Sequence, residues 1–162
     1  VLMILLGTAA QREVNTGRID DRLVGLADVM PTLCELAGVP VPPSCSGLSM
    51  IGDCKREHSY GECGVEGQRM VRTRKHKLVW TICGSHFQLF DCVADRAERR
   101  NLAADPAYSS TFDALRGELL SRLSDVDRER FVKSGELVGI PAREQTHPDQ
   151  RGLNAQRGLQ WP

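Results

Sequence analysis

The sequence predicts an α+β fold: a small antiparallel sheet of three to four strands, with one short helix before it and one long amphipathic helix after it. Three observations carry this. Apolar residues alternate with polar ones between Gln68 and Leu89, the period of a half-buried strand. From Tyr108 to Leu123 they recur at steps of four, three, four and four, the period of a one-sided helix. Between Asp28 and Gly38 a shorter stripe carries its own start and stop signals.

In chain order, Val1 to Leu6 is continuously apolar and reads as a strand covered on both faces. Gly7 to Arg22 is a polar loop containing Asp20 and Asp21, followed by a short apolar strand at Leu23 to Leu26. Asp28 is the expected N-cap of the short helix and Pro31 lies in its first turn, where the missing N–H costs no bond. Met30, Leu33, Cys34 and Ala37 would form its apolar face, and Gly38 its left-handed end. Pro40, Pro42 and Pro43 forbid continuation.

Ser44 to Gly67 is rich in Gly, Ser, Cys and charge and reads as an irregular connection with one short strand near Tyr60. Three strands follow, Gln68 to Thr73, Lys77 to Ile82 and the pair Phe87 and Leu89, forming an antiparallel meander. Arg74 to His76 and Cys83 to His86 are its turns, with Gly84 free to take a positive φ. Asp105 and Pro106 start the long helix as N-cap and first residue. Tyr108, Phe112, Leu115, Leu119 and Leu123 form its face, and Gly117 weakens it by about 1 kcal/mol relative to Ala. Beyond Asp125 apolar density falls, and an extended tail is expected through Arg151-Gly152-Leu153 and Arg157-Gly158-Leu159.

Composition narrows the function classes. The 162 residues are 41% apolar and 26% charged, which suits a globular domain rather than a disordered chain. With 21 Lys and Arg against 21 Asp and Glu, the total charge points to neither a nucleic-acid nor a membrane partner. The longest apolar run, Val1 to Leu6, is far short of the roughly 20 residues of a spanning helix. The chain opens inside that run without an initiator Met, which predicts sequence upstream and leaves the compartment open.

Chemistry-bearing residues are sparse. Cys34, Cys45, Cys54, Cys63, Cys83 and Cys92 contain no C-x-x-C pair, so the pattern suits free thiols packed as small hydrophobes better than zinc ligands or a dense disulfide framework. His58, His76, His86 and His147 are scattered through polar segments and read as surface histidines. Asp20 and Asp21 supply too few oxygens for calcium. Arg69, Arg72, Arg74, Lys75 and Lys77 could meet an anionic substrate, but strand alternation divides them between two faces and favours a solvated surface. No phosphate loop, nucleophile elbow or Cys and His pair stands out.

Longer segments say more. Leu89-Phe90-Asp91-Cys92-Val93-Ala94-Asp95-Arg96-Ala97-Glu98-Arg99-Arg100-Asn101-Leu102 resembles the sulfatase signature of Leu, Tyr or Phe, Asp, three residues, Asp, Pro, one residue, Glu, two residues, Asn, Leu. It departs at Arg96, where the family usually has proline. Asp91, Asp95 and Asn101 can each close a turn through side-chain oxygens and so fix the path from last strand to long helix. Leu26 to Pro40 is similar to the family's Asp, Leu or Ile, Met, Pro, Thr helix ending in Ala-Gly. Arg69 to Thr73 with Lys77 to Trp80 resembles its Arg-Thr and Lys-Tyr hairpin, and Leu159 to Pro162 its C-terminal tail.

These matches run in the family's order and imply the C-terminal portion of a sulfatase, in the alkaline-phosphatase-like superfamily. The resemblance divides the chain into residues 1–43 as the end of the main α/β domain, 44–67 as an irregular connection, 68–124 as the C-terminal sheet plus helix, and 125–162 as tail. It implies a sulfuric ester hydrolase whose nucleophile is a formylglycine made from a Cys/Ser-x-Pro-x-Arg motif beside bound calcium. None of the six cysteines is followed two residues later by proline, and no Asp-His-Gly or Asp-Asn-Gly occurs. No catalytic or metal residue is therefore assigned, substrate-binding residues stay open, and the loop from Ser44 to Gly67 is the candidate for substrate contact. The chain alone is expected to be inactive, meeting its sulfate ester only through an N-terminal domain, with no nucleic-acid or membrane partner. A non-catalytic binding module, or a fragment of a related phosphonate monoester hydrolase, is the alternative.

Overall fold

The structure is a computed structural model and describes residues 21–51 and 55–142. Val1 to Leu6, Asp20, Cys54, His147 and the Arg151 to Leu159 repeat lie outside the described residues. The fold is α+β. Its sheet is a meander of β1 (Ser59–Cys63), β2 (Gln68–Arg72), β3 (His76–Thr81) and β4 (His86–Asp91), each antiparallel to the next. The registers Tyr60↔Val71↔Leu78↔Leu89 and Arg69↔Trp80↔Phe87 set one row of side chains on a single face. Val71, Leu78, Trp80, Ile82 and Leu89 are fully buried there, as the alternation predicts. The irregular connection thus contributes the sheet's first strand, around Tyr60.

A single 3-10 turn, Pro106–Tyr108, precedes the long helix α2 (Ser109–Arg122), with the Asp105 carboxylate accepting the Ala107 N–H at 3.1 Å. The stripe predicted for α2 is the one buried: Leu115, Leu119 and Leu123 enter the core, with Tyr108 and Phe112 packed beside them. Burying a leucine fully contributes roughly 1.5–3 kcal/mol. Phe87 meets Phe112 edge-on, with ring centres 5.3 Å apart.

Residues 125–142, the described part of the expected extended tail, do not run as one. They form α3 (Asp125–Phe131) and a hairpin of β5 (Val132–Lys133) and β6 (Glu136–Leu137). Ser124 caps α3 by accepting the Asp127 N–H, and Ser134 and Gly135 at positive φ close the hairpin. Phe131 and Leu137 complete the core under Trp80. Arg128 donates to the Leu120 and Leu123 carbonyls, supplying donors to the end of α2. The chain then returns to the β3–β4 turn, where Ile140 N–H donates to Ile82 and Gly84 N–H to Ile140.

The short helix α1 (Val29–Leu36) follows a 3-10 turn at Leu26–Asp28, where a strand was expected from Leu23. Val39 N–H donates to Cys34 and Gly38 N–H to Glu35, with Gly38 at φ +66°, the expected left-handed ending. The burial of α1 reverses the prediction. Thr32 and the preceding Asp28 are fully buried, while Leu26, Met30 and Leu33 are 75%, 55% and 53% exposed. None of these apolar side chains joins the core around the sheet.

Candidate functional site

The Leu89 to Leu102 run is the strand-to-helix connection, and each of its three polar landmarks makes the turn its chemistry suggests. Asp91 Oδ1 accepts the Val93 and Ala94 N–H groups at 2.9 and 2.8 Å. Asp95 Oδ2 accepts those of Arg99 and Arg100 at 2.7 and 2.8 Å. Asn101 Oδ1 accepts from Leu89 and Ala103, while its Nδ2 donates to the Phe87 carbonyl. Glu98, at a positive φ of 53°, pairs with Lys77, whose ammonium also lies 5.4 Å above the Phe90 ring. Backbone donors, chiefly that of Ala94, hold the Asp91 carboxyl below its ordinary pKa. Burial pushes the Cys92 thiol up, the direction that disfavours a reactive thiolate.

A second cluster joins the connection after α1 to the helix itself. Asp28 does not cap the first turn of α1. It accepts from Gly25 N–H at 2.7 Å, from Leu48 N–H at 2.8 Å and from Arg56 at 2.5 Å. Thr32 Oγ1 donates to the Asp28 carbonyl and accepts the Met50 N–H at 2.9 Å. Gly47 crosses so near that an added Cβ would sit 1.9 Å from the Ala27 carbonyl oxygen, so any other residue would push the loop away. Residues 44–51 of the expected substrate-contact loop are thus held against the start of α1.

The third cluster was not anticipated. Arg69 is 3% exposed and makes a two-pronged pair with Asp127, Nε to Oδ2 at 2.7 Å and Nη2 to Oδ1 at 3.0 Å. Its remaining donors reach the carbonyls of Gly64, Val65 and Gln68. The basic run is therefore not a uniform solvated face, because Arg69 shares the inward face with Val71 and needs a buried partner. An arginine two residues from an inward valine was the available signal. Above this pair the Tyr60 phenol is pushed up to about 12, by burial and then by Glu62.

His86 is exposed, His58 lies 3.6 Å from Glu118, and His76 is not a surface histidine: its side chain is 15% exposed, edge-on to Tyr108. His76 Nε2 is buried without a hydrogen bond, 3.9 Å from Asp91, and burial lowers its pKa. Cys34, Cys45, Cys63, Cys83 and Cys92 are free. Among the described residues no group of three or more His, Cys, Asp or Glu could hold a metal. The buried carboxylates of Asp28, Asp91 and Asp127 already accept from protein donors. These residues do not fit calcium. A shallow groove of about 90 Å³ between α2 and the β5–β6 hairpin is bridged by Arg116 and Glu136 and gathers no catalytic set.

No protein-family model matches the chain. It is 36% identical over 95 residues to a Delta 4,5-hexuronate-2-O-sulfatase of Bacteroides thetaiotaomicron, covering 51% of this chain and 20% of that protein. It is 30% identical over 144 residues to an arylsulfatase of Clostridium perfringens, covering 81% and 29%. Among solved structures, a 2-O GAG sulfatase superposes with a TM-score of 0.53 at 28% identity, covering 76% of this chain and 31% of that one. The chain thus spans about a fifth to a third of the length of these two curated relatives.

Proposed function

This chain is a homologue of the sulfatases that matches the C-terminal part of their fold, and from that premise we propose that it is the C-terminal portion of a sulfuric ester hydrolase, inactive on its own. The carrying observation is the Leu89 to Leu102 connection, whose signature-like Asp91, Asp95 and Asn101 all serve to route the chain rather than to react. The formylglycine nucleophile and calcium of the parent family then belong to sequence outside this chain. In this reading residues 1–43 close the main α/β domain, and the outward apolar face of α1 supports that assignment. The sheet with α2 forms the smaller subdomain, and the loop held by Asp28 and Thr32 borders the sulfate ester.

The test is hydrolysis of a chromogenic aryl sulfate with calcium, by the 162-residue chain and by the product of the longest reading frame containing it. Turnover only by the longer protein is expected. Turnover by the chain alone overturns its inactivity, and turnover by neither overturns the sulfatase reading. Cleavage of a phosphonate monoester in preference to the sulfate ester would move the assignment to that related hydrolase.

A further inference from the structure

The fold absorbs only part of the basic run. Arg69 is buried on Asp127, but Arg72, Arg74, Lys75 and Lys77 gather at the other end of β2 and β3, away from the Gly64 to Gly67 turn. The connection after β4 returns to that same end. Cys92 N–H donates to the Lys75 carbonyl at 2.7 Å, and Asp91 stands opposite His76 across the sheet. The connection brings with it Arg96, Arg99 and Arg100.

Residues 72–77 and 91–100 together hold seven Lys and Arg against three Asp and Glu, in a chain whose totals are equal. Those three carboxylates are already engaged. Asp91 accepts from Val93 and Ala94, Asp95 from Arg99 and Arg100, and Glu98 from Lys77. Arg74, Arg96 and Arg99 are exposed, and none has a carboxylate within ion-pair distance among the described residues. Behind them the Nε of Arg72 is buried without a hydrogen-bond partner. Lys77 pairs with Glu98, Arg100 with Asp105 at 3.0 Å, and Lys75 lies 4.0 Å from Asp91, so the exposed uncompensated charge is that of Arg74, Arg96 and Arg99. Charge of one sign on two adjoining turns attracts a polyanion.

We propose that this end of the sheet binds a sulfated polysaccharide, a proposal that rests on the sulfatase reading for its choice of polyanion. Guanidinium groups offer paired N–H donors that match sulfate oxygens. Sequence-tolerant binding of nucleic acid strands would call for exposed aromatic platforms, and this surface has none: Phe90 is 7% exposed beneath Lys77, and Tyr108 is half-buried against His76.

The experiment is retention of the full chain on immobilised heparin, comparing two triple charge reversals of equal net effect. One is Arg74→Glu, Arg96→Glu and Arg99→Glu. The other, Arg122→Glu, Arg130→Glu and Lys133→Glu, changes exposed cations near α3 and Glu66, by the Gly64 to Gly67 turn. The first should weaken heparin binding roughly tenfold or more at physiological salt, and the second less than about twofold. Equal losses in both, or no retention of the unaltered chain, would overturn the proposal. Competition by DNA oligonucleotides as effective as that by heparin would overturn the choice of polyanion. The same triples in the longer protein keep the test decisive if the chain alone aggregates. Aryl sulfate turnover surviving a loss of heparin retention separates this surface from the sulfatase reading.

Discussion

The sheet with α2 and the segment around α1 solve burial in opposite ways. In the first, Trp80, Leu119 and Phe131 are inside and most charges outside, the exceptions being Arg69 with its partner Asp127 and Asp91 at the end of β4. In the second, Asp28 and Thr32 are inside, and Leu26, Met30 and Leu33 face out. Both helices have an apolar stripe, yet among the described residues only that of α2 finds a surface to cover. A hydrophobic period therefore reports which face will be covered, and leaves open whether the covering partner lies in the same stretch of chain.

The comparison can be broken or sharpened by substitution. The largest effect is expected for Asp127→Ala, which strands the Arg69 guanidinium in the interior and should cost about 3–5 kcal/mol of unfolding free energy, read from urea denaturation. Leu119→Ala should cost about 2–5 kcal/mol, because the fully buried site between α2 and the sheet cannot collapse freely. Asn101→Ala removes the acceptor for Leu89 N–H and the donor to the Phe87 carbonyl. A loss of about 1–3 kcal/mol is expected in the same assay.

A pH series should show a smaller, signed effect. Burial holds the folded His76 pKa below its ordinary value of 6.5, so the unfolded chain binds that proton more tightly. Stability should fall as pH drops through about 6.5, and level off below the folded value. Asp91 has the same sign at lower pH: its lowered pKa gives a contribution present above its unfolded value near 3.8 and lost as pH falls through the folded one. His76→Gln should flatten the first decline in urea midpoints measured between pH 8 and 5. The smallest effect is expected for Leu33→Ser in the isolated chain, within about 0.5 kcal/mol of unchanged. In the longer protein the same substitution should become clearly destabilising, and an unchanged midpoint there would count against α1 packing on another domain.

How much was legible follows from the distance over which each interaction acts. Leu78, Trp80 and Ile82 announce their strand because alternation is local, and Asp91 and Asp95 announce their turns because their partners lie two to five residues on. The same holds for the α2 stripe from Tyr108 to Leu123. The Asp28 cluster was hidden, since Leu48 and Arg56 stand 20 and 28 residues away. Arg69 and Asp127 are 58 residues apart, so strand alternation could mark Arg69 as inward but could not supply its partner or the helix that carries it. The candidate site was legible only where resemblance touched local turn chemistry.

Asn101 also has a consequence for association. Its amide receives the Leu89 N–H and returns a proton donor to Phe87, while Leu102 N–H donates to the Leu89 carbonyl. A side chain and the following peptide thereby stand in for a fifth strand along the rim of β4, leaving that rim no free ladder to offer another chain. The outer rim of β1 has no such surrogate among the described residues. Among the described residues the two rims of the sheet are thus unequal, and the domain carries a polarity its strand order alone does not show.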